Sequence, residues 1–342
     1  MARTDRTDEQ PTLNVKNSIT DVPGIEVGHA QDDEALTGCT VILVRKGAVA
    51  GVDQRGGAPA TRETDLLSPF NLVSKINAIL LSGGSAFGLD AATGVMRYLE
   101  EQKLGFETGF ARVPIVPAAA LFDLALGRAD VRPDAEMGYR ASQAASADEA
   151  QVGNVGAGTG ATVGKILGVQ NAMKAGLGTA SIDIGGGVIV GAIVAVNAFG
   201  DVISPQTGAI LAGARSAQIG PLKIGVEGEF ADTLHVMQTI PGRTVMKLAT
   251  RANTVIGVVA TNAKLTQAEA GRVAQMAQDG LARTIRPAHT MLDGDTIFAL
   301  STGSKKADVS TVGAFAAEAL MQAILRGTQS AASLGGVPGL GD

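Results

Sequence analysis

The chain has 342 residues, 45% hydrophobic and 18% charged, a balance that fits a folded body with a large core and excludes a disordered polymer. A formal charge of −5 and a pI of about 5.3 leave no basic footprint for nucleic acid, and a single cysteine, Cys39, excludes an intrachain disulfide framework. Forty-five glycines beside 3% aromatics and no Trp require a core of Val, Ile, Leu and Ala packed closely across tight turns, which suits layered sheets and helices.

In chain order, the polar start "MARTDRTDEQPTLNVKN" has no apolar h-region and reads as a frayed tail. "CTVILVRKGAVAGVDQRGG" predicts a strand that leads through a turn into the next segment. "KINAILLSGGSAFGLDAATGVMRYLEEQ" predicts a strand feeding a helix that opens near Ser85. "DAEMGYRASQAASADEA" is helix-like, and "VGNVGAGTGATVGKIL" is a long glycine-rich loop. "TASIDIGGGVIVGAIVAVNAFGDVIS" reads as strands joined by Gly-Gly-Gly and Asn-Ala-Phe-Gly turns. Residues 213 to 250 are the best linker candidate, and "NTVIGVVATNA" is a strand. Thr266 and Glu269 form a capping box for a helix over "KLTQAEAGRVAQMAQDGLARTI". "DTIFALST" returns as a strand, followed by an amphipathic helix with Val309, Val312, Ala316, Leu320, Ala323 and Ile324 on one face. The terminal "GGVPGLGD" reads as a second frayed tail. The longest apolar run, residues 187 to 199, is too short to cross about 30 Å of hydrocarbon as a helix, so the expectation is a soluble, cytoplasmic protein with no membrane partner.

Several familiar motifs fail on inspection. "TGATVGKI" lacks a Walker A register, with Thr159 in place of Gly and Ile166 in place of Ser/Thr. Ala161 and Val163 stand where a dinucleotide fingerprint needs its third glycine, so no nucleotide cofactor is expected. A nucleophile elbow centred on Ser85 would need Gly at 87 and finds Phe87, which leaves Gly83, Gly84 and Ser85 as a tight turn and helix N-cap. His29, His235 and His289 lie in unrelated contexts and offer no zinc cluster, so no metal is expected and the histidines receive no role.

Four local features carry possible chemistry. Asn253-Thr254 stands at the head of a β-branched run, where a Thr suits the strand and its hydroxyl can satisfy a main-chain group. Asp293 and Asp295 flank Gly294; two acids one residue apart can face one side of an extended segment, or they can close an Asx-type turn. Lys165 is a lone cation in the glycine-rich loop, and Asn197 ends a strand. Each has an ordinary structural explanation.

Their order, however, resembles a known family. "GVDQRGGAPATRETDLL", "LSGGSAFGLDAATGV", "GAGTGATVGK", "VAVNAFGDV", "NTVIGVVATNA" and "DGDTIFAL" together, from about Ile19 to about Leu325, are similar to the self-processing aminopeptidase/esterase family. That family includes L-aminopeptidase D-esterases, β-aminopeptidases and 6-aminohexanoate-oligomer (nylon-oligomer) endohydrolases. The resemblance implies an α/β fold, a four-layer αββα sandwich of N-terminal-nucleophile type, made as one precursor that cuts itself. It implies cleavage between Asn253 and Thr254 into chains 1–253 and 254–342 that together form one globular domain, with Thr254 as nucleophile, Asp293 and Asp295 as the acid pair, and Lys165 and Asn197 in support. Thr254 with Asp-Gly-Asp is closer to the nylon-hydrolase branch, where a small oligoamide is the substrate. The aminopeptidase branch, acyl transfer of the ornithine acetyltransferase type and a non-enzymatic assembly role are the alternatives. Where several members carry a Tyr, this chain has Phe122, so no phenol is available there and Phe122 becomes a candidate pocket residue. A tetramer of processed chains without cofactor is also implied.

The chemistry gives the resemblance a physical basis. A Thr hydroxyl is a weak nucleophile without a base, and the α-amine freed by cleavage has a reference pKa of about 7.7 to 8.0, far closer to neutrality than a lysine near 10.4.

Overall fold

Side chains along a strand alternate between two faces, and here that alternation sorts the core into three slabs. The computed structural model describes residues 16–219, 222–225, 229–239, 242 and 253–342. The strands of its main sheet system are β1 (Glu26–Asp32), β2 (Thr37–Gln54), β3 (Ile76–Ser82), β4 (Ala118–Ala120), β5 (Leu177–Asp183), β6 (Ile189–Asn197), β7 (Thr254–Ala263) and β8 (Thr296–Lys305). The described helices are α1 (Ala91–Glu101), α2 (Ala135–Gln143), α3 (Thr233–Gln238), α4 (Gln267–Thr284) and α5 (Val309–Gln329). Strands pair in the order β5-β6-β7-β8-β2-β3-β4, with β1 also on β2 and Thr61–Arg62 closing the β4 edge.

On β6, Val190, Ala192, Val194 and Val196 pack toward α4 and α5, where they meet Val273, Ala277, Leu281, Ala316 and Leu320. Ile193 and Ala195 face the other way, onto Ile42, Val44, Ile79 and Leu81 of β2 and β3. The outer residues of those strands, Val41, Leu43, Ala78 and Leu80, meet Ala91, Val95 and Leu99 of α1 and Met137 and Ala141 of α2. Helices, sheet, sheet and helices make the four layers that the family resemblance implies.

The expected strand, turn and strand form as β2 and β3, and β2 runs unbroken over the 18 residues 37–54. Its first half pairs with β3 and its last part with β8, with a register shift between Leu43 and Ala48. Gly47 lies in that shift at φ +73, a conformation glycine adopts without steric cost, so a bulge forms there and β2 passes from one sheet to the other.

Two expectations are corrected. Ser85 does not cap a helix: it lies at φ +55 in a 3₁₀ turn, Ser85–Asp90, and α1 begins only at Ala91. The terminal "GGVPGLGD" is not frayed, because Val337 is buried, Pro338 O accepts Lys174 N at 2.8 Å, and Asp342 accepts the Ser333 amide. Of the expected linker, 217–219 and 222–224 form a small hairpin and 233–238 form α3; much of the rest lies outside the described residues, as does most of the expected N-terminal tail. The capping box at Thr266 and Glu269 forms as read, and the stripe along α5 faces the core. No helix among the described residues is long and apolar enough to cross a membrane.

The glycine-rich segment is held by a second lysine. Lys174, fully buried, donates through Nζ to Thr159 O at 2.9 Å and Ala161 O at 2.7 Å, and burial pulls its pKa down to about 7. Between pH 7 and 10.5 the unfolded chain therefore binds a proton that the native chain does not, and native stability gained from this site rises with pH. Urea unfolding of wild type and Lys174→Met at pH 6, 7, 8 and 9 should show the wild type gaining on the variant above pH 7, by at most about 1.4 kcal/mol per pH unit.

Candidate active site

β7 and β8 run parallel, with Ile256 opposite Thr296, so both strands begin at the same end of the sheet. β6 is antiparallel to β7 and ends there, with Asn197 opposite Thr254. Asn253, Thr254, Asn197 and the residues just before β8 are thus brought to one edge although far apart in sequence. Lys165 joins them because the turn after β6 receives its loop: Lys165 N donates to Phe199 O at 3.0 Å and Gly164 N to Gly200 O at 2.9 Å.

Thr254 is 4% exposed, and its hydroxyl donates to the carbonyl oxygen of Asn253, the residue before it. The same oxygen accepts the Gly294 N–H at 3.0 Å. Asn253 and Asp293 are also linked by an isolated parallel bridge. A Cβ on Gly294 would lie 2.6 Å from Ala58 O and 2.8 Å from Thr254 Oγ1, so only glycine lets the amide come this close. The "DQRGG" segment forms the facing wall, with Ala58 N on Asp293 O at 2.9 Å and Arg55 N on Asp295 O at 3.0 Å.

The two acids serve different partners. Asp295 Oδ1 accepts Val255 N at 2.8 Å, and its Oδ2 accepts His289 N at 3.0 Å and contacts His289 Nδ1 at 2.8 Å. Asp293 Oδ1 accepts Phe199 N at 3.1 Å, and its Oδ2 accepts Thr290 N at 3.0 Å and the Thr290 hydroxyl. Asp293 N also donates to Thr290 O at 3.1 Å, so the turn reading of this acid holds. The paired-charge reading holds as well: burial first, and then the charge of Asp295, push the Asp293 carboxyl above the usual carboxylate range.

Lys165 Nζ donates to Asn197 O at 3.0 Å and Asn197 Oδ1 at 2.7 Å. Burial lowers its pKa to about 7 while Asp293 and Asp123 pull it up, so the amine changes charge near neutrality. Asn197 Oδ1 also accepts Thr162 N at 3.1 Å, and its Nδ2 donates to Phe122 O at 2.9 Å. Phe122 lines a narrow slot of about 20 Å³ with Leu126, Gly160, Thr162 and Lys165. Wider hollows of about 800 and 740 Å³ lie along α4 and α5 and beside the start of α4, and neither is lined by these residues.

The structure therefore assembles every residue singled out from the sequence: Asn253, Thr254, Asp293, Asp295, Lys165, Asn197 and Phe122. It adds His289, Gly294, Lys174 and Asp123, the last a buried acid that accepts Gly84 N at 2.7 Å and the Thr37 hydroxyl at 2.7 Å. His289 had one local signal, its place four residues before Asp293, whereas Asp123 and Lys174 had none. The other two histidines stay apart: His29 contacts Thr40 and is pulled down to about 4 by burial, and His235 sits on α3. A buried hydroxyl against a polarised carbonyl, with a titratable amine and a raised carboxyl nearby, is equipped for acyl transfer.

Comparison with known proteins shows the family. Residues 17–340 match the model of peptidase family S58. An uncharacterized aminopeptidase of Mycobacterium tuberculosis is 45% identical over 355 residues, covering 94% of this chain and 96% of the relative. A 6-aminohexanoate-oligomer endohydrolase of Kocuria sp. is 32% identical over 321 residues, covering 89% and 84%. The L-aminopeptidase D-Ala-esterase/amidase of Ochrobactrum anthropi, described as a variant of the Ntn hydrolase fold, superposes with a TM-score of 0.70 at 20% identity, over 96% of this chain and 91% of that one. The chain belongs to peptidase family S58 and is a hydrolase acting on amide bonds.

Proposed function

We propose that the chain is a self-processing amidohydrolase that cleaves between Asn253 and Thr254, giving chains 1–253 and 254–342 that remain one body, and then uses Thr254 as an N-terminal nucleophile. The observation that carries this reading is the Thr254 hydroxyl on the Asn253 carbonyl oxygen while Gly294 N–H holds that oxygen from another direction. In the precursor, Thr254 Oγ1 adds to the Asn253 carbonyl carbon and the Gly294 amide stabilises the charge that develops on oxygen. The C–N bond breaks, the proton passes to the Thr254 nitrogen, and water resolves the resulting ester to an Asn253 carboxylate and a free hydroxyl. In the mature enzyme, the freed α-amine accepts the hydroxyl proton as Oγ1 attacks a substrate amide. The leaving amine takes that proton, and water hydrolyses the acyl-enzyme.

The supporting residues divide the work. Asp295, through Val255 N, keeps the nucleophile in register once the bond to Asn253 is gone. Asn197 orients Lys165 through its two oxygens and is itself anchored on Phe122 O, so it acts on the lysine's position, with the lysine as the charge facing the site.

Linear oligoamides such as 6-aminohexanoate oligomers, cut internally, are the substrate class we favour, in keeping with the Thr254 and Asp-Gly-Asp pattern and the 32% identity to an endohydrolase. Release of N-terminal residues is the second reading, favoured by the 45% identity to proteins named as aminopeptidases. Hydrolysis of N-blocked oligomers at rates like those of free ones supports internal cleavage; strict dependence on a free amine supports the second reading.

Thr254→Ala should abolish both self-cleavage, read by denaturing electrophoresis, and amide hydrolysis, while leaving the melting temperature close to wild type; a processed or active variant would defeat the proposal. Gly294→Ala should slow self-cleavage by about tenfold or more, because the added methyl displaces the amide from the Asn253 oxygen.

A further inference from the structure

Residues 289 and 290 each grip one of the two acids. Thr290 holds Asp293 through its amide and hydroxyl, and His289 holds Asp295 through its amide at 3.0 Å and its ring at 2.8 Å. Both His289 contacts fall on one oxygen, Oδ2, which leaves Oδ1 for Val255 N, the amide immediately after the nucleophile. A carboxylate oxygen only accepts, so Nδ1 is the donor in the ring contact. His289 lies at φ +57, in the left-handed region that side chains with a Cβ seldom adopt, with amide and ring on the same oxygen. The ring is largely buried, and its Nε2 has no hydrogen-bond partner among the described residues, so Asp295 is the only polar contact that fixes its orientation there.

We propose that His289 is a positioning residue for the nucleophile, acting through Asp295: with Nδ1–H on Oδ2, it fixes the carboxylate plane so that Oδ1 holds Val255 N and, with it, the Thr254 hydroxyl. This rests on Thr254 being the nucleophile. The main-chain contact from His289 does not depend on its side chain, so the side chain contributes direction to a carboxylate that would otherwise pivot about a single anchor on that oxygen. An asparagine amide can place a donor near the position of Nδ1 and tolerates the left-handed backbone, whereas a glutamine places its amide nearer Nε2.

The test uses full-length chains with His289→Ala, His289→Asn and His289→Gln, scoring self-cleavage rate, kcat and KM on one oligoamide, and melting temperature. His289→Ala should lower kcat and the self-cleavage rate by about tenfold or more with KM shifted less than about threefold, and His289→Gln should do the same. His289→Asn should recover both to within about threefold of wild type. Adding His289→Ala to Asp295→Ala should cost nothing further, since the histidine acts through the acid. Wild-type kcat in His289→Ala, an Asn variant as impaired as the Ala variant at equal melting temperature, or losses that multiply in the double variant would each overturn the assignment. If the Ala variant does not fold, the Asn-against-Gln contrast decides. An active Thr254→Ala would instead defeat the nucleophile itself, whereas an inactive Thr254→Ala beside a fully active His289→Ala would defeat only the role of His289.

Discussion

The parallel pairing of β7 with β8 is the constraint on which the site depends. Two adjacent parallel strands need a crossover, which α4 supplies, and they begin at the same end of the sheet. That geometry sets Thr254, the first residue of β7, beside the turn that feeds β8, and the antiparallel β6 delivers Asn197 to the same edge. Residues 165, 197, 254 and 293–295 then meet at this edge. Gly294 completes the arrangement, because a side chain there would collide with both Ala58 O and the Thr254 hydroxyl.

The same edge concentrates ionisable groups that a core ordinarily avoids. Lys165, Lys174, Asp123, Asp293 and Asp295 are all nearly or fully buried, and each has a described hydrogen bond from or to a main-chain group that fixes its direction. Desolvation moves the two lysines down to about 7 and Asp293 up, so proton affinities that are far apart in water are drawn together here. Three apolar slabs between four layers supply the burial that tolerates this. Precise placement of charge at the sheet edge thus depends on close packing of Val, Ile, Leu and Ala behind it, which the composition already required.

Local periodicity made most of the elements legible. The alternating residues of β6 and β7, the capping box at Thr266 and the stripe along α5 each follow from neighbours within a few residues, and the structure agrees with them. The bulge in β2 is not legible in the sequence, because a glycine at φ +73 serves a turn or a bulge and only a partner strand decides which forms. Ser85 was read as a cap because Gly-Gly-Ser is a common entry to a helix, and its left-handed backbone is set by Leu121 O and Asp123 from β4 and beyond. The site residues were individually ordinary and became a constellation only through their order. The contact of His289 with Asp295 depends on how 289–295 closes on itself, and nearness to the acids is its one trace in the sequence; the clamp of Lys174 on the glycine-rich segment depends on a small pairing of 162–163 with 173–174 and leaves no such trace.

The central claim is that the bond before Thr254 is a site of chemistry and not merely the entry to a strand. The most direct measurement is intact-mass analysis with N-terminal sequencing of purified wild-type protein, taken together with its amide hydrolysis. Two fragments, one of them beginning Thr254-Val255, should account for the active material. A chain that remains whole at 34.5 kDa while hydrolysing amides would contradict the claim.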